Sequence, residues 1–289
     1  MDYIFVFILI LLFLILNLDN IDVRINRHLK NNKNFYYYDW FCRNLLGNNK
    51  ICENFDVGTN NIPKIIHHTW KDKNNIPEQW NISYNSWRKF YPEGEFKYMF
   101  WTDKDNLNLI KNDFPEYLEL YNSYPKNIQR IDMIRYFILY KYGGIYSDMD
   151  YEVKKNFHNE LVQNKINIIE SPYKFNEEAQ NSLMASPAKH PTWKKVFKSL
   201  LENRKGGDPL NTTGPRMLSK VYLSNKNNIN LLDCKKYQRT RWSKKNLNLK
   251  KMGRYFKDCG DENNLENLYG IHHNTSSWNQ AYKKKIENL

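Results

Sequence analysis

Residues 128–153 read Ile-Gln-Arg-Ile-Asp-Met-Ile-Arg-Tyr-Phe-Ile-Leu-Tyr-Lys-Tyr-Gly-Gly-Ile-Tyr-Ser-Asp-Met-Asp-Tyr-Glu-Val. Ile128, Ile131, Ile134, Ile138 and Tyr142 recur at spacings of three and four, so Ile128 to Tyr142 is expected to be a helix. Gly143-Gly144 ends it, because glycine accepts the backbone conformation that closes a helix. Ile145 to Val153 then reads as a strand, along which Tyr146, Asp148 and Asp150 alternate and share one face. Two carboxylates placed this way converge on a hard divalent cation, Mn2+ or Mg2+, which completes its shell with water and substrate phosphate. Such a cation neutralises a departing diphosphate.

An Asp-x-Asp triplet is weak on its own, since most are surface turns. A calcium loop is excluded, because Val153 occupies the sixth position where glycine is needed. A phosphatase-like site also pairs aspartates, but near the end of a first strand. The apolar flanks, and the helix that feeds the strand, raise the signal here. On that helix Arg130, Asp132 and Arg135 interrupt an apolar pattern. Asp132 and Arg135 are i,i+3 neighbours. They are either a helix-surface pair or are directed at the nucleotide and sugar.

Working outward, Pro63 opens a short strand that ends in His67, His68, Thr69 and Trp70, and Glu95 to Trp101 reads as a second. Ile166 to Ile169 is another. Asp105 to Lys111, Pro115 to Tyr121, Thr192 to Arg204 and Pro215 to Leu223 read as helices, with proline in the first turn of two of them. The alternation argues an α/β domain. No internal repeat is visible.

Three strings, Ile62 to Trp70, Arg130 to Tyr136 and Tyr142 to Asp150, resemble the family 32 glycosyltransferases, the group whose sugar-binding region contains a DXD motif. The yeast initiating α-1,6-mannosyltransferase and the inositol-phosphoceramide mannosyltransferases belong to it. The likeness runs over roughly residues 62 to 280. Beyond the central block it takes in Asn181, Ser186-Pro187, His190-Pro191, Thr213-Gly214-Pro215, His272-His273 and Ser277-Trp278. It implies a GT-A type Rossmann-like fold. It also implies donor or nucleotide contacts from His67, Thr69, Trp70, Asp132, Arg135, Tyr146, Asp148 and Trp278. Metal ligands would come from Asp148 and Asp150, joined by His272 or His273. Catalysis would fall to Asp150, Arg135 and Asn181, with retention of anomeric configuration. Each position has a plainer reading: Trp70 and Trp278 as core aromatics, His67 as a satisfied strand-end histidine, Asn181 as a turn cap. One of the two adjacent histidines is structural, because strand neighbours point to opposite faces.

The rest of the chain sets the context. In 289 residues, 41% are hydrophobic and 15% aromatic, enough for one sizeable folded domain. The richness in Asn, Lys, Ile and Tyr is what an AT-rich genome of a virus, a protist or a low-GC bacterium produces. Tyr3 to Leu16 is an uninterrupted apolar run with no small-residue cleavage site after it, so residues 1–18 read as a signal anchor and single-pass membrane segment. Residues 19–61 read as a stem and 62–289 as the transferase domain. Arg24, Arg27, Lys30 and Lys33 would keep that domain in the cytosol. Sequons at Asn81, Asn211 and Asn274 suit an ER or Golgi lumen, the side favoured here. The four cysteines lack zinc spacing. They form either two disulfides, Cys42–Cys52 and Cys234–Cys259, or none.

The expected reaction is hexose transfer from a UDP- or GDP-sugar to a glycan, lipid or protein acceptor. A silent carbohydrate-binding protein on the same fold is one rival. The net charge of +13 and the basic run Lys235 to Lys257 raise a second, nucleic-acid binding. No nucleic-acid motif accompanies that run, and no such partner is expected.

Overall fold

The computed structural model describes residues 60–174, 177–240, 257, 259 and 267–273. Strand β1 (Ile65–Thr69) follows Pro63, as expected. Helix α1 (Glu78–Phe90) carries the chain to β2 (Lys97–Trp101), which lies parallel to β1. The chain then passes through α2 (Asp103–Asp113), a 3-10 turn at Pro115–Tyr117, α3 (Leu118–Ser123) and α4 (Asn127–Tyr142). It returns as β3 (Gly144–Ser147), parallel to β1 on its other side. After a turn, β4 (Tyr151–Val153) departs to a second sheet. Strands β5 (Ile166–Glu170) and β6 (Ala179–Ser186) return to the first, followed by helices α5 (Thr192–Glu202), α6 (Pro209–Thr212) and α7 (Pro215–Leu223). Strand β7 (Ile229–Leu232), α8 (Cys234–Tyr237), β8 (Arg239–Thr240) and β9 (Gly270–His272) complete the described elements.

The large sheet runs β2-β1-β3-β6-β5-β7, and the small one β4-β9-β8. β6 is antiparallel to both neighbours and the remaining pairs of the large sheet are parallel, so the fold is a mixed α/β one. Alternate residues of each strand feed two cores. Tyr146 and Ile168 face the core built on α4, α5 and α7, whereas Ile66, Ile145 and Ile169 face the one beneath α1 and β4. α4 is buried on nearly every side from Asp132 to Leu139, which places its charged residues inside the protein. Phe137 stacks on Phe197 with ring centroids 4.1 Å apart, locking α4 to α5. Losing a ring of that kind costs about 3–5 kcal/mol.

The glycine pair does more than end a helix. Gly143 and Gly144 have φ of +65° and +93°, and the Gly143 N–H donates to Leu139 O. A Cβ on Gly144 would stand 2.5 Å from Ile65 O, so both conformation and packing demand glycine.

The single strand expected over Ile145 to Val153 is two strands in different sheets. β3 pairs with β6 as far as Ser147, where Asp148 N–H donates to Ser182 O. A turn closed by Tyr151 N–H to Asp148 O then redirects the chain to β9. The expected helix from Pro115 opens as the 3-10 turn before α3.

Cys234 and Cys259 are joined in a disulfide. The proposed anchor over 1–18, stem residues 19–59, Cys42, Cys52, Trp278 and residues 241–256 of the basic run lie outside the described residues. Among the described residues no helix is long and apolar enough to cross a membrane.

Candidate active site

Strands β1, β2 and β3 all end at the same edge of the sheet, because they are parallel. Open α/β sheets bind ligands outside that edge. Asp148 emerges there from β3, and Arg135 reaches the same point from α4. The Arg135 side chain is 3% exposed and lies between two carboxylates. Nη2 is 3.2 Å from Asp132 Oδ1 and Nη1 3.2 Å from Asp148 Oδ1. Nη1 also donates to Asn181 O at 2.7 Å, and Nε to Ile131 O at 3.3 Å. The guanidinium lies 4.9 Å from the centroid of the Tyr146 ring. Burial works against its charge, but Asp148, Tyr146 and Asp132 more than offset it, so Arg135 stays protonated.

Each carboxylate has its own support. Asp148 Oδ1 accepts from Tyr146 OH at 2.9 Å, and that hydroxyl is 2.8 Å from Thr69 Oγ1. Asp132 Oδ1 accepts from Asn181 Nδ2 at 2.9 Å and Oδ2 from Thr213 Oγ1 at 3.1 Å. Tyr136 OH closes the ring, accepting from Asn181 Nδ2 and donating to Thr213 O. Burial, reinforced by Asp148, lifts the Asp132 carboxyl to about 6 against the pull of Arg135. Burial also raises Asp148, with Asp150 adding to it and Arg135 opposing.

A third group completes the site from 122 residues away. His272 Nε2 lies 3.2 Å from Asp150 Oδ1. Ligand atoms of Asp148, Asp150 and His272 all fall within 4.8 Å of one another. Burial lowers the His272 imidazole, but the charge and hydrogen bond of Asp150, with Asp148 behind it, carry it above its ordinary value. Two carboxylates and one imidazole suit a divalent cation between magnesium and zinc in character. Glu170, Asp233 and Cys234 form a second close group, but its sulfur is spent in the disulfide and Glu170 holds Lys257.

The sequence therefore brings Thr69, Asp132, Arg135, Tyr146, Asp148, Asp150, Asn181 and His272 together. Three assignments change. His67 is fully buried, with Nε2 2.8 Å from Gly143 O and Nδ1 accepting from Trp101 Nε1 at 3.2 Å. Burial lowers it to about 4, so it is a neutral core histidine with both ring nitrogens occupied rather than a nucleotide contact. His273 turns away from the aspartate pair to Glu152, with Nε2 3.1 Å from Oε2. Its hydrogen bond, outweighing burial and joined by Lys154, holds the Glu152 carboxyl down at about 2. The side chain of Asn181 is committed to Asp132 and Tyr136, which makes it a positioning group. Trp70 sits just past β1, edge-on to Trp80 at 4.2 Å, its indole N–H donating to Asn75 O.

Thr213, Tyr136 and Glu152 had no expected role. Thr213-Gly214-Pro215 stood out as a string, but its purpose appears only when α4 lies beside it.

Residues 77–171, which span the Asp148-Met149-Asp150 turn, match the family described as "Glycosyltransferase sugar-binding region containing DXD motif". An uncharacterized glycosyltransferase, L373, of Acanthamoeba polyphaga mimivirus is 33% identical over 185 residues, covering 60% of this chain and 72% of that protein. Inositol phosphoceramide mannosyltransferase 3 of Schizosaccharomyces pombe is 52% identical over 89 residues, covering 31% of this chain and 24% of that protein. The alignments span between 24% and 42% of the length of the yeast inositol phosphoceramide and mannosyl phosphorylinositol ceramide enzymes matched. Among solved structures, apo mouse xyloside xylosyltransferase 1 aligns with a TM-score of 0.47 at 13% identity, covering 74% of this chain and 98% of that one. With the mimivirus protein matched over most of its length and the DXD turn standing in the matched segment, this chain belongs to the family 32 glycosyltransferases.

Proposed function

We propose that the protein is a metal-dependent, retaining glycosyltransferase of GT-A type. It moves a hexose from a UDP- or GDP-sugar to a glycan, lipid or protein acceptor. The names of the fungal relatives make mannose the first sugar to test and an inositol phosphoceramide the first acceptor. The observation that carries the reading is the convergence of Asp148, Asp150 and His272 beside the buried Arg135.

When bound, Mn2+ or Mg2+ supplies positive charge to the diphosphate leaving group. The residues of the chain prepare for it. Arg135 and Tyr146 fix the Asp148 carboxylate so that no reorganisation is needed at the moment of transfer. Asp132, gripped by Asn181 and Thr213, fixes Arg135 in turn. Asp150 and His272 complete the ligand set. Thr69 and Trp70, at the end of β1, face the nucleotide. Retention is assigned to attack by the acceptor hydroxyl on the face the diphosphate leaves, with the departing phosphate taking the proton. The apolar run Tyr3 to Leu16 would hold the enzyme at a membrane.

The test is thermal melting of the full chain with Mn2+ against a panel of UDP- and GDP-sugars. A ligand at a hundred times its dissociation constant stabilises by about 2.7 kcal/mol. A shift that needs both the metal and one nucleotide, and vanishes in Asp150→Ala, is the expected result. A folded protein that shifts with no nucleotide would sink the assignment.

A further inference from the structure

The ligand that completes the candidate metal site sits at the very end of a strand only three residues long. β9 is flanked by β4 and β8, and its last residue is His272. Strand ends fray unless the chain beyond them is held. Here the chain beyond is held through His273. Its backbone N–H donates to Asp150 O at 2.9 Å, and its ring Nε2 lies 3.1 Å from Glu152 Oε2. The other oxygen of Glu152 accepts from Lys154 Nζ. The Lys154 N–H donates to Tyr269 O at 2.7 Å, just before β9 begins. β4 and the residues flanking it therefore bracket β9, holding it at both of its ends.

The register sets Glu152 beside His273. Tyr151 opposes His272, and Glu152 opposes Ile271. Side chains alternate across a strand, so Glu152 and His273 form a diagonal pair on one face while His272 and Tyr151 share the other. Neither Glu152 nor His273 is in the convergent group of ligand atoms. The Glu152 side chain is only 12% exposed. A carboxylate that buried needs partners, and those found for it, His273 and Lys154, both belong to this bracket.

We propose that Glu152 is a positioning residue that, through His273, fixes β9 and sets the His272 imidazole against Asp148 and Asp150. Cation affinity then depends on a carboxylate that does not touch the cation. The inference rests on the reading above that Asp148, Asp150 and His272 hold a cation. Supporting groups around metal ligands commonly change affinity by about 10- to 100-fold when removed. A loss near the lower end is expected here, because Glu152 acts through a neighbour of the ligand.

The experiment is Mn2+ titration of the full chain, without nucleotide, followed by the electron paramagnetic resonance signal of the free ion. The wild type should bind, and Asp150→Ala should not. Glu152→Gln and His273→Gln should each bind about tenfold more weakly, and the double variant no more weakly than the poorer single, since both break one pair. Metal-free melting temperatures of the two single variants should fall only modestly, because the backbone pairing of β4 with β9 stays in place. Wild-type affinity in both folded variants, with binding still lost in Asp150→Ala, overturns the role of Glu152 alone. So does a lowered metal-free melting temperature with unchanged Mn2+ affinity, which would make the bracket merely structural. Full Mn2+ binding by Asp150→Ala would instead overturn the cation site itself.

Discussion

Asp132 is the residue whose replacement separates stability from function most cleanly. Its side chain is 7% exposed, and burial moves its carboxyl from 3.8 to about 6. Each pH unit between folded and unfolded pKa values corresponds to about 1.4 kcal/mol, so the ionised form carries a cost of about 3 kcal/mol. The attraction of Arg135 is already inside that balance, and burial outweighs it. The sign follows from the direction of the shift. A carboxyl raised on folding favours the fold fully below about 3.8, and that contribution is lost as pH rises through about 6. Asp132→Asn keeps the shape and stays neutral. It should be more stable than wild type at pH 7.5, by on the order of 2 kcal/mol, with the difference shrinking severalfold by pH 4. Urea unfolding of both proteins across that range, in EDTA, measures it. Transfer activity should fall by about a hundredfold or more, because Arg135 loses the anion that aims it. A variant less stable than wild type at pH 7.5, or an offset independent of pH, would refute the reasoning.

Three further outcomes are expected. Gly144→Ala should destabilise the domain by roughly 2 kcal/mol or more, read as a lower urea midpoint, because φ is +93° and the new Cβ meets Ile65 O. Cys234→Ser should cost about 3 kcal/mol, from the loop spanning a sequence separation of 25, and reductant should lower the wild-type melting temperature to match. Thr213→Val keeps the shape but withdraws the donor from Asp132 Oδ2. It should reduce transfer about tenfold while leaving Mn2+ affinity unchanged, as kinetics and metal titration would show.

The parts of the fold legible in sequence were those whose period survives burial. α4 declared itself through Ile128, Ile131, Ile134 and Ile138, and its end through Gly143-Gly144. β6 did not, because Ala-Gln-Asn-Ser-Leu-Met-Ala-Ser carries polar residues at positions that are all buried. Gln180 and Asn181 are tolerated there because they meet Glu177, Gln238, Asp132 and Tyr136, partners that only the tertiary fold supplies. α1 was missed for a related reason: its buried stripe is Trp80, Ser83 and Trp87, too thin and too polar to read as a helix face. Within the site, the two aspartates and the Asp132–Arg135 pair were readable because charge inside an apolar helix demands a purpose. The role of Thr213 was not, since it is made by contact with a residue 81 positions away. His67 misled because a strand end at the open edge of a sheet looks the same in sequence whether its side chain points out or, as here, into the core. Strand alternation narrows the adjacent histidines to one candidate ligand, but only the tertiary contact of His272 Nε2 with Asp150 Oδ1 picks out His272.

The most direct test of the central claim is release of nucleoside diphosphate from the donor identified in the melting panel, measured with Mn2+ and with EDTA. The account predicts turnover that requires the metal and falls by at least about a thousandfold in Asp148→Ala and in Asp150→Ala. Equal turnover in EDTA, or full metal-dependent turnover by either variant, would contradict it.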